Sequence, residues 1–87
     1  LQQRGQATLT DMEKKVRDIL DENGIFGNFR IPYLNLARAL FRAKGHQSGL
    51  ALQKIANGWK QKAVAEGLDP DIVDKIIEVV IGATAYS

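Results

Sequence analysis

Apolar residues recur at the spacing of an α-helix in four segments of this chain, and a glycine or a proline lies at most of the breaks between them. Gly24, Gly45 and Gly67 follow the first three segments, while Pro32 and Pro70 lie near the starts of the second and fourth. Glycine supplies the left-handed residue that ends many helices, and proline is tolerated at the first helical position. The pattern therefore predicts four helices, near residues 11–23, 32–44, 49–66 and 70–82.

The length of the chain limits it to one hydrophobic core. It has 87 residues, of which 45% are apolar and 25% are charged, as is usual for a globular domain. We predict an all-α fold, a compact four-helix domain arranged as a bundle or with orthogonal helices, in which the second and fourth helices supply most of the core. Residues 1–9 are interpreted as a flexible lead-in, residues 10–82 as the single helical domain, and residues 83–87 as a short tail.

Local patterns add predictions about particular residues. Thr10 and Glu13 have the spacing of a capping box at the start of the first helix, and Asp69 is placed to cap the fourth. Residues 24–31 are rich in large apolar side chains, so we interpret them as a loop packed over the core. Trp59 is in helical phase with the apolar positions of the third helix, and we expect it in the core.

Charge is segregated along the sequence. Residues 23–65 contain no Asp or Glu, although the chain has 10 acidic residues and about five would be expected in a segment of this length. We take one asparagine and most of the basic residues of this segment as candidate nucleic-acid-binding residues: Asn35, Arg38, Arg42, Lys44, Lys54, Lys60 and Lys62. The first three share the face of the second helix opposite its apolar residues, where arginines are placed to bind phosphates.

The sequence contains few of the side chains that usually act as catalytic bases or nucleophiles. There is no Cys, and the only His, His46, lies in a glycine-flanked turn. We therefore predict no catalytic residue, no metal site and no cofactor, and we do not expect an enzyme. The longest apolar run is interrupted by charges and is shorter than the about 20 residues that cross a bilayer, so no membrane is expected. In the absence of a signal-peptide pattern we favour a cytoplasmic location.

These observations lead us to expect a non-enzymatic binding module. The acid-free segment favours binding of DNA or RNA through phosphate contacts. A helix-turn-helix built from the second and third helices is one form of this hypothesis, and the dispersal of lysines around the third helix argues against it. The alternative is a protein-protein interaction or self-association domain of a larger protein, with a protein partner or a second copy. In a dimer, the arginine face of the second helix would meet the acidic face of the fourth, which carries Asp71, Asp74 and Glu78.

Overall fold

The computed structural model describes residues 9–81, and this range is almost entirely helical. Its elements are α1 (Leu9–Glu22), a 3₁₀ helix (Gly27–Phe29), α2 (Arg30–Lys44), α3 (Gly49–Ala65) and α4 (Pro70–Ile81). No strand occurs among residues 9–81, so the predicted all-α four-helix domain is confirmed. Most of the predicted lead-in and all of the predicted tail lie outside the described residues.

Two polar contacts show that α2 and α4 are parallel. The hydroxyl of Tyr33, near the start of α2, accepts a hydrogen bond of 2.9 Å from the backbone N–H of Asp69, just before α4. At the other end, Lys44 Nζ donates to the carbonyl of Val80 at 3.2 Å. The two starts and the two ends are therefore each side by side, and α3 returns the chain between them in the opposite direction.

The first helix is antiparallel to α2. Arg38 in the middle of α2 pairs with Glu13 near the start of α1, and Arg30 at the start of α2 pairs with Asp21 near the end of α1. α1 and α3 each contact both α2 and α4 but do not contact each other. The four helices thus form an up-and-down bundle with a diamond-shaped cross-section, in which α2 and α4 lie on the short diagonal.

The core follows from this arrangement. Four buried residues come from α2, four from α4, and three each from α1 and α3, which confirms that the second and fourth helices supply most of the core. The most deeply buried large side chains are Leu20, Leu40, Ile76, Val16, Val73 and Val80. None of the buried residues in the described range is polar or charged apart from the Tyr33 hydroxyl, which has its hydrogen bond.

Three of the predicted helix ends are confirmed in detail. Asp69 Oδ1 accepts hydrogen bonds from the backbone N–H groups of Asp71 at 2.8 Å and Ile72 at 3.4 Å, so it caps α4. Gly24 and Gly67 follow α1 and α3 with φ of 72° and 99°, the left-handed conformation that ends helices.

Two predictions about helix starts are wrong. α1 already includes Leu9, so Thr10 lies within its first turn, and the Glu13 carboxylate pairs with arginines instead of closing a capping box. α2 begins two residues before Pro32, because the 3₁₀ helix runs directly into it. Proline is tolerated there since the N–H groups of the first helical turn have no partner within the helix.

The prediction of a packed loop at residues 24–31 is also wrong. Only Ile25 packs against the core, with its N–H bonded to the carbonyl of Leu20 at 2.8 Å. Phe26, Phe29 and Ile31 are exposed. Trp59 lies at the edge of the core and is partly buried, which confirms its predicted phase but not full burial.

Substitution of Gly58 tests the helical packing of α3. A Cβ at this position would meet no atom within 4 Å, and its backbone is helical. We expect Gly58→Ala to stabilise the domain by about 1 kcal/mol, the difference in helix propensity. Gly67→Ala is the matched control and should destabilise, because its φ of 99° is strained for alanine. Chemical denaturation of both variants measures this, and a loss of stability in Gly58→Ala would contradict the packing described.

Candidate functional site

Three large apolar side chains are exposed where the chain enters α2. Phe26 is 57% exposed, Phe29 is 77% exposed and Ile31 is 52% exposed, and we call these three residues the apolar patch. Phe26 and Phe29 are three residues apart across the 3₁₀ helix, with Phe29 N–H bonded to the carbonyl of Phe26 at 3.3 Å. This hydrogen bond closes a turn with Phe26 at one end and Phe29 at the other, so the two exposed rings belong to one short structural unit.

Arg30 fixes the segment that carries the apolar patch. Its Nε donates to the carbonyl of Ile25 at 2.9 Å, and its guanidinium pairs with the carboxylate of Asp21. The guanidinium carbon also lies 5.5 Å from the centre of the Phe26 ring, within cation–π distance. Gly27, with φ of 63°, allows the turn that precedes these contacts. The arginine therefore serves to hold the segment in one conformation.

The two phenyl rings alone expose an area that approaches the largest apolar patch of a typical monomer. At about 200 Å² for a phenylalanine, the exposed fractions of Phe26 and Phe29 correspond to about 250 Å². The largest apolar patch on a typical monomer measures about 300–600 Å² and is often functional. The sequence contained the signal, since residues 24–31 combine large apolar side chains with two glycines. Of these apolar side chains, only Ile25 packs against the core, and hydrophobicity alone does not distinguish it from Phe26 and Phe29.

The predicted basic face of α2 is present, and one of its arginines is already paired. Asn35, Arg38 and Arg42 are all exposed. Arg38 Nε donates to Glu13 Oε2 at 2.5 Å, which bridges α2 to α1. Within the described residues, Arg42 has no ion pair or side-chain hydrogen bond. Arg38 would therefore have to break an ion pair before binding a phosphate, whereas Arg42 has no such pair within the described residues.

Two of the predicted lysines hold the fourth helix in place. Lys60 on α3 pairs with Asp74 on α4 at 2.7 Å, and Lys44 donates to the carbonyl of Val80. The predicted dimer would bring the arginine face of α2 against the acidic face of α4. Arg38 on the first face and Asp74 on the second each already form an ion pair within the chain. The fold brings Lys44 and Lys60 to its own acidic helix, away from the arginine face of α2.

The remaining two lysines lie beside the tryptophan. Lys54, Trp59 and Lys62 line one shallow hollow of about 320 Å³ on α3, and Lys62 Nζ is 5.0 Å from the centre of the indole ring. A second cleft of about 200 Å³ is lined by Asn35 on α2 together with Trp59 and Lys62. We call Lys54, Trp59 and Lys62 the tryptophan site. The structure thus brings together three of the seven predicted residues, Asn35, Lys54 and Lys62.

Residues 9–81 contain no group of three or more His, Cys, Asp or Glu side chains placed to hold a metal ion. His46 is exposed in the link between α2 and α3. No helix among the described residues has both the length and the apolar composition needed to cross a membrane.

The Glu13–Arg38 pair predicts a pH dependence of stability. The hydrogen bond from Arg38 holds the Glu13 pKa below its ordinary value of 4.5. A carboxylate with a lowered folded-state pKa contributes stability that is complete above its unfolded pKa and is lost as the pH falls through its folded pKa. We expect Glu13→Gln to be less stable than the wild type at neutral pH, with the difference shrinking from about pH 5 downward.

Urea denaturation at a series of pH values measures this difference. Glu78→Gln is the control, because Glu78 is exposed and has no ion pair in the described range. A difference between Glu13→Gln and wild type that stays constant with pH would show that the ion pair does not contribute.

Comparisons with protein-family models, with curated proteins and with solved structures gave no significant match to this chain. No relative therefore indicates a family or a function. The apolar patch and the tryptophan site are the two surfaces whose composition bears on function.

Proposed function

We propose that this domain is a non-enzymatic protein-interaction module that docks through its apolar patch. The observation that carries the proposal is the exposure of Phe26, Phe29 and Ile31 on a segment fixed by Arg30. Burial of apolar surface contributes a free energy of about 25 cal/mol for each Å² removed from water. A partner that covers these three side chains would gain this free energy on binding.

The rigidity of the segment supports the same function. A side chain that is already held in its bound conformation loses little entropy on binding. Arg30 has three partners: the Ile25 carbonyl, the Asp21 carboxylate and the Phe26 ring. Aromatic residues are also enriched among those that dominate the energy of protein interfaces. The apolar patch is thus suited to enter an apolar pocket of another protein.

The expected affinity is modest. Standard interfaces bury about 800 Å² on each partner, and the two phenyl rings supply about 250 Å² of this. The rest would come from polar surface around the patch, where contacts contribute less. The geometry therefore favours a reversible contact.

The substitution Phe29→Asp tests the proposal without disturbing the fold. Phe29 is 77% exposed and lies just before the N-terminus of α2, where a carboxylate is favourable, so the variant should melt close to the wild type. A photo-reactive benzophenone side chain at position 26 should cross-link to a partner protein in a nuclease-treated extract, and Phe29→Asp in the same chain should abolish the product. Leu9→Asp, an exposed apolar residue at the start of α1, is the matched control and should leave it unchanged. Equal cross-linking by the Phe29→Asp chain would refute the proposal.

Nucleic-acid binding is a second candidate, and the tryptophan site is the observation that favours it. An aromatic ring flanked by lysines is the combination that binds single strands, with a base stacked on the ring and phosphates near the ammonium groups. Arg42 adds a guanidinium without a partner in the described residues. Against this candidate, Arg38, Lys44 and Lys60 already have partners within the chain.

A salt titration tests the second candidate. If Lys54 and Lys62 each contact one phosphate, Lys54→Ala with Lys62→Ala should reduce the slope of log affinity against log salt by about 1.4 for a single-stranded oligonucleotide. Lys14→Ala with Lys15→Ala, which removes the same charge from α1, is the control and should leave the slope nearly unchanged. Binding that is insensitive to the α3 pair would exclude the tryptophan site.

A further inference from the structure

An apolar groove of about 620 Å³ opens at the end of the bundle where α2 and α4 finish. Its walls combine the start of α3 with the last turns of α4. Its apolar lining is Leu50, Leu52, Ala56, Ile77 and Ile81, and the remainder is mostly polar, with Lys44, Gln53, Asn57 and residues 47–49. Leu50 is 76% exposed, so the groove has an apolar wall that nothing in the described range covers. An apolar cavity of about 150 Å³ is enough to hold benzene, so this groove has room for two phenyl rings.

The groove and the apolar patch lie at opposite ends of α2. The patch ends where α2 begins, and Lys44 in the groove lining is the last residue of α2. A helix of this length separates its ends by about 22 Å. The patch of one chain is therefore out of reach of its own groove, and any contact between the two must join separate molecules.

We propose that the apolar patch of one copy binds in the groove of a second copy, in a head-to-tail contact. This inference identifies the partner for the protein-interaction function proposed above, and it rests on that proposed function. Phe29, the most exposed ring, enters the groove, and Leu50 packs against it. Contacts between two different surfaces leave one patch and one groove free at the ends, so association continues into a ring or an open chain.

Charge favours this pairing over contact between two identical patches. Asp21 and Glu22 lie at the end of α1, just before the patch, and both are exposed. Asp21 is paired with Arg30, whereas Glu22 has no ion pair among the described residues. Patch-to-patch contact would bring two such acidic ends together. In the head-to-tail contact, Glu22 approaches Lys44 in the groove lining. The Lys44 ammonium gives one hydrogen bond to the Val80 carbonyl and keeps donors for a carboxylate, so opposite charges meet.

The area involved sets the expected strength. The patch is well below the about 800 Å² that each partner buries in a standard interface, so self-association should be weak and depend strongly on concentration. We expect the wild type to be monomeric at about 10 µM and to form larger species towards about 1 mM.

Two substitutions separate the two halves of the contact. Phe29→Asp destroys the patch and leaves the groove, while Leu50→Asp destroys the groove and leaves the patch. Both place a carboxylate at the start of a helix, where it is favourable, so both variants should keep the wild-type melting temperature. Analytical ultracentrifugation should find each variant monomeric at about 1 mM, and their equimolar mixture should form a dimer that grows no further.

Each other result overturns the inference. A wild type that is monomeric at every concentration excludes the second copy as partner, and the proposed function then depends on cross-linking to a different protein. If Leu50→Asp still self-associates and Phe29→Asp does not, the contact joins two apolar patches. If both variants still self-associate, the contact lies elsewhere on the surface. Leu9→Asp is again the control that should associate like the wild type.

A charge exchange tests the orientation of the contact. Glu22→Lys should weaken self-association about two- to fivefold, the effect of one exposed ion pair, and adding Lys44→Glu in the same chain should restore it. Failure of the double variant to recover, with its melting temperature unchanged, would contradict the approach of Glu22 to Lys44.

Discussion

The parallel contact between α2 and α4 is the constraint on which the other features of this domain depend. These helices are not neighbours in the sequence, and the two hydrogen bonds that tie their ends each join residues 36 positions apart. Because α2 and α4 lie on the short diagonal of the bundle, α1 and α3 are separated onto opposite flanks. This places the apolar patch at the end where α1 finishes and the groove at the end where α3 begins. The positions of both candidate surfaces thus follow from the directions in which the helices run.

The helices themselves could be predicted from the sequence because their signals are local. Gly24 and Gly67 end α1 and α3, and Asp69 caps α4, through interactions within a few residues of each site. Thr10 shows the limit of this reasoning. Its pattern was correct for a capping box, but Glu13 pairs with Arg38, 25 residues away, and no local pattern could reveal that contact.

The candidate surfaces were harder to predict because they depend on how much room the core leaves. Residues 24–31 were expected to pack, and hydrophobicity alone supports that interpretation. The end of the bundle accepts one side chain, that of Ile25, and leaves Phe26 and Phe29 outside. The basic residues posed a similar difficulty. A segment without acids suggested an external anionic partner, yet α1 and α4 supply carboxylates to Arg38 and Lys60 within the fold. Charge that is separated along the chain is partly balanced in space.

The pairing of α2 with α4 also has a consequence for the order of folding. α1 with α2, and α3 with α4, are two antiparallel helix hairpins whose contacts form between sequence neighbours. Joining the hairpins requires closure of a longer loop, and such non-local contacts form more slowly than local ones. The four-residue link at positions 45–48 is then the hinge on which the two halves of the molecule close.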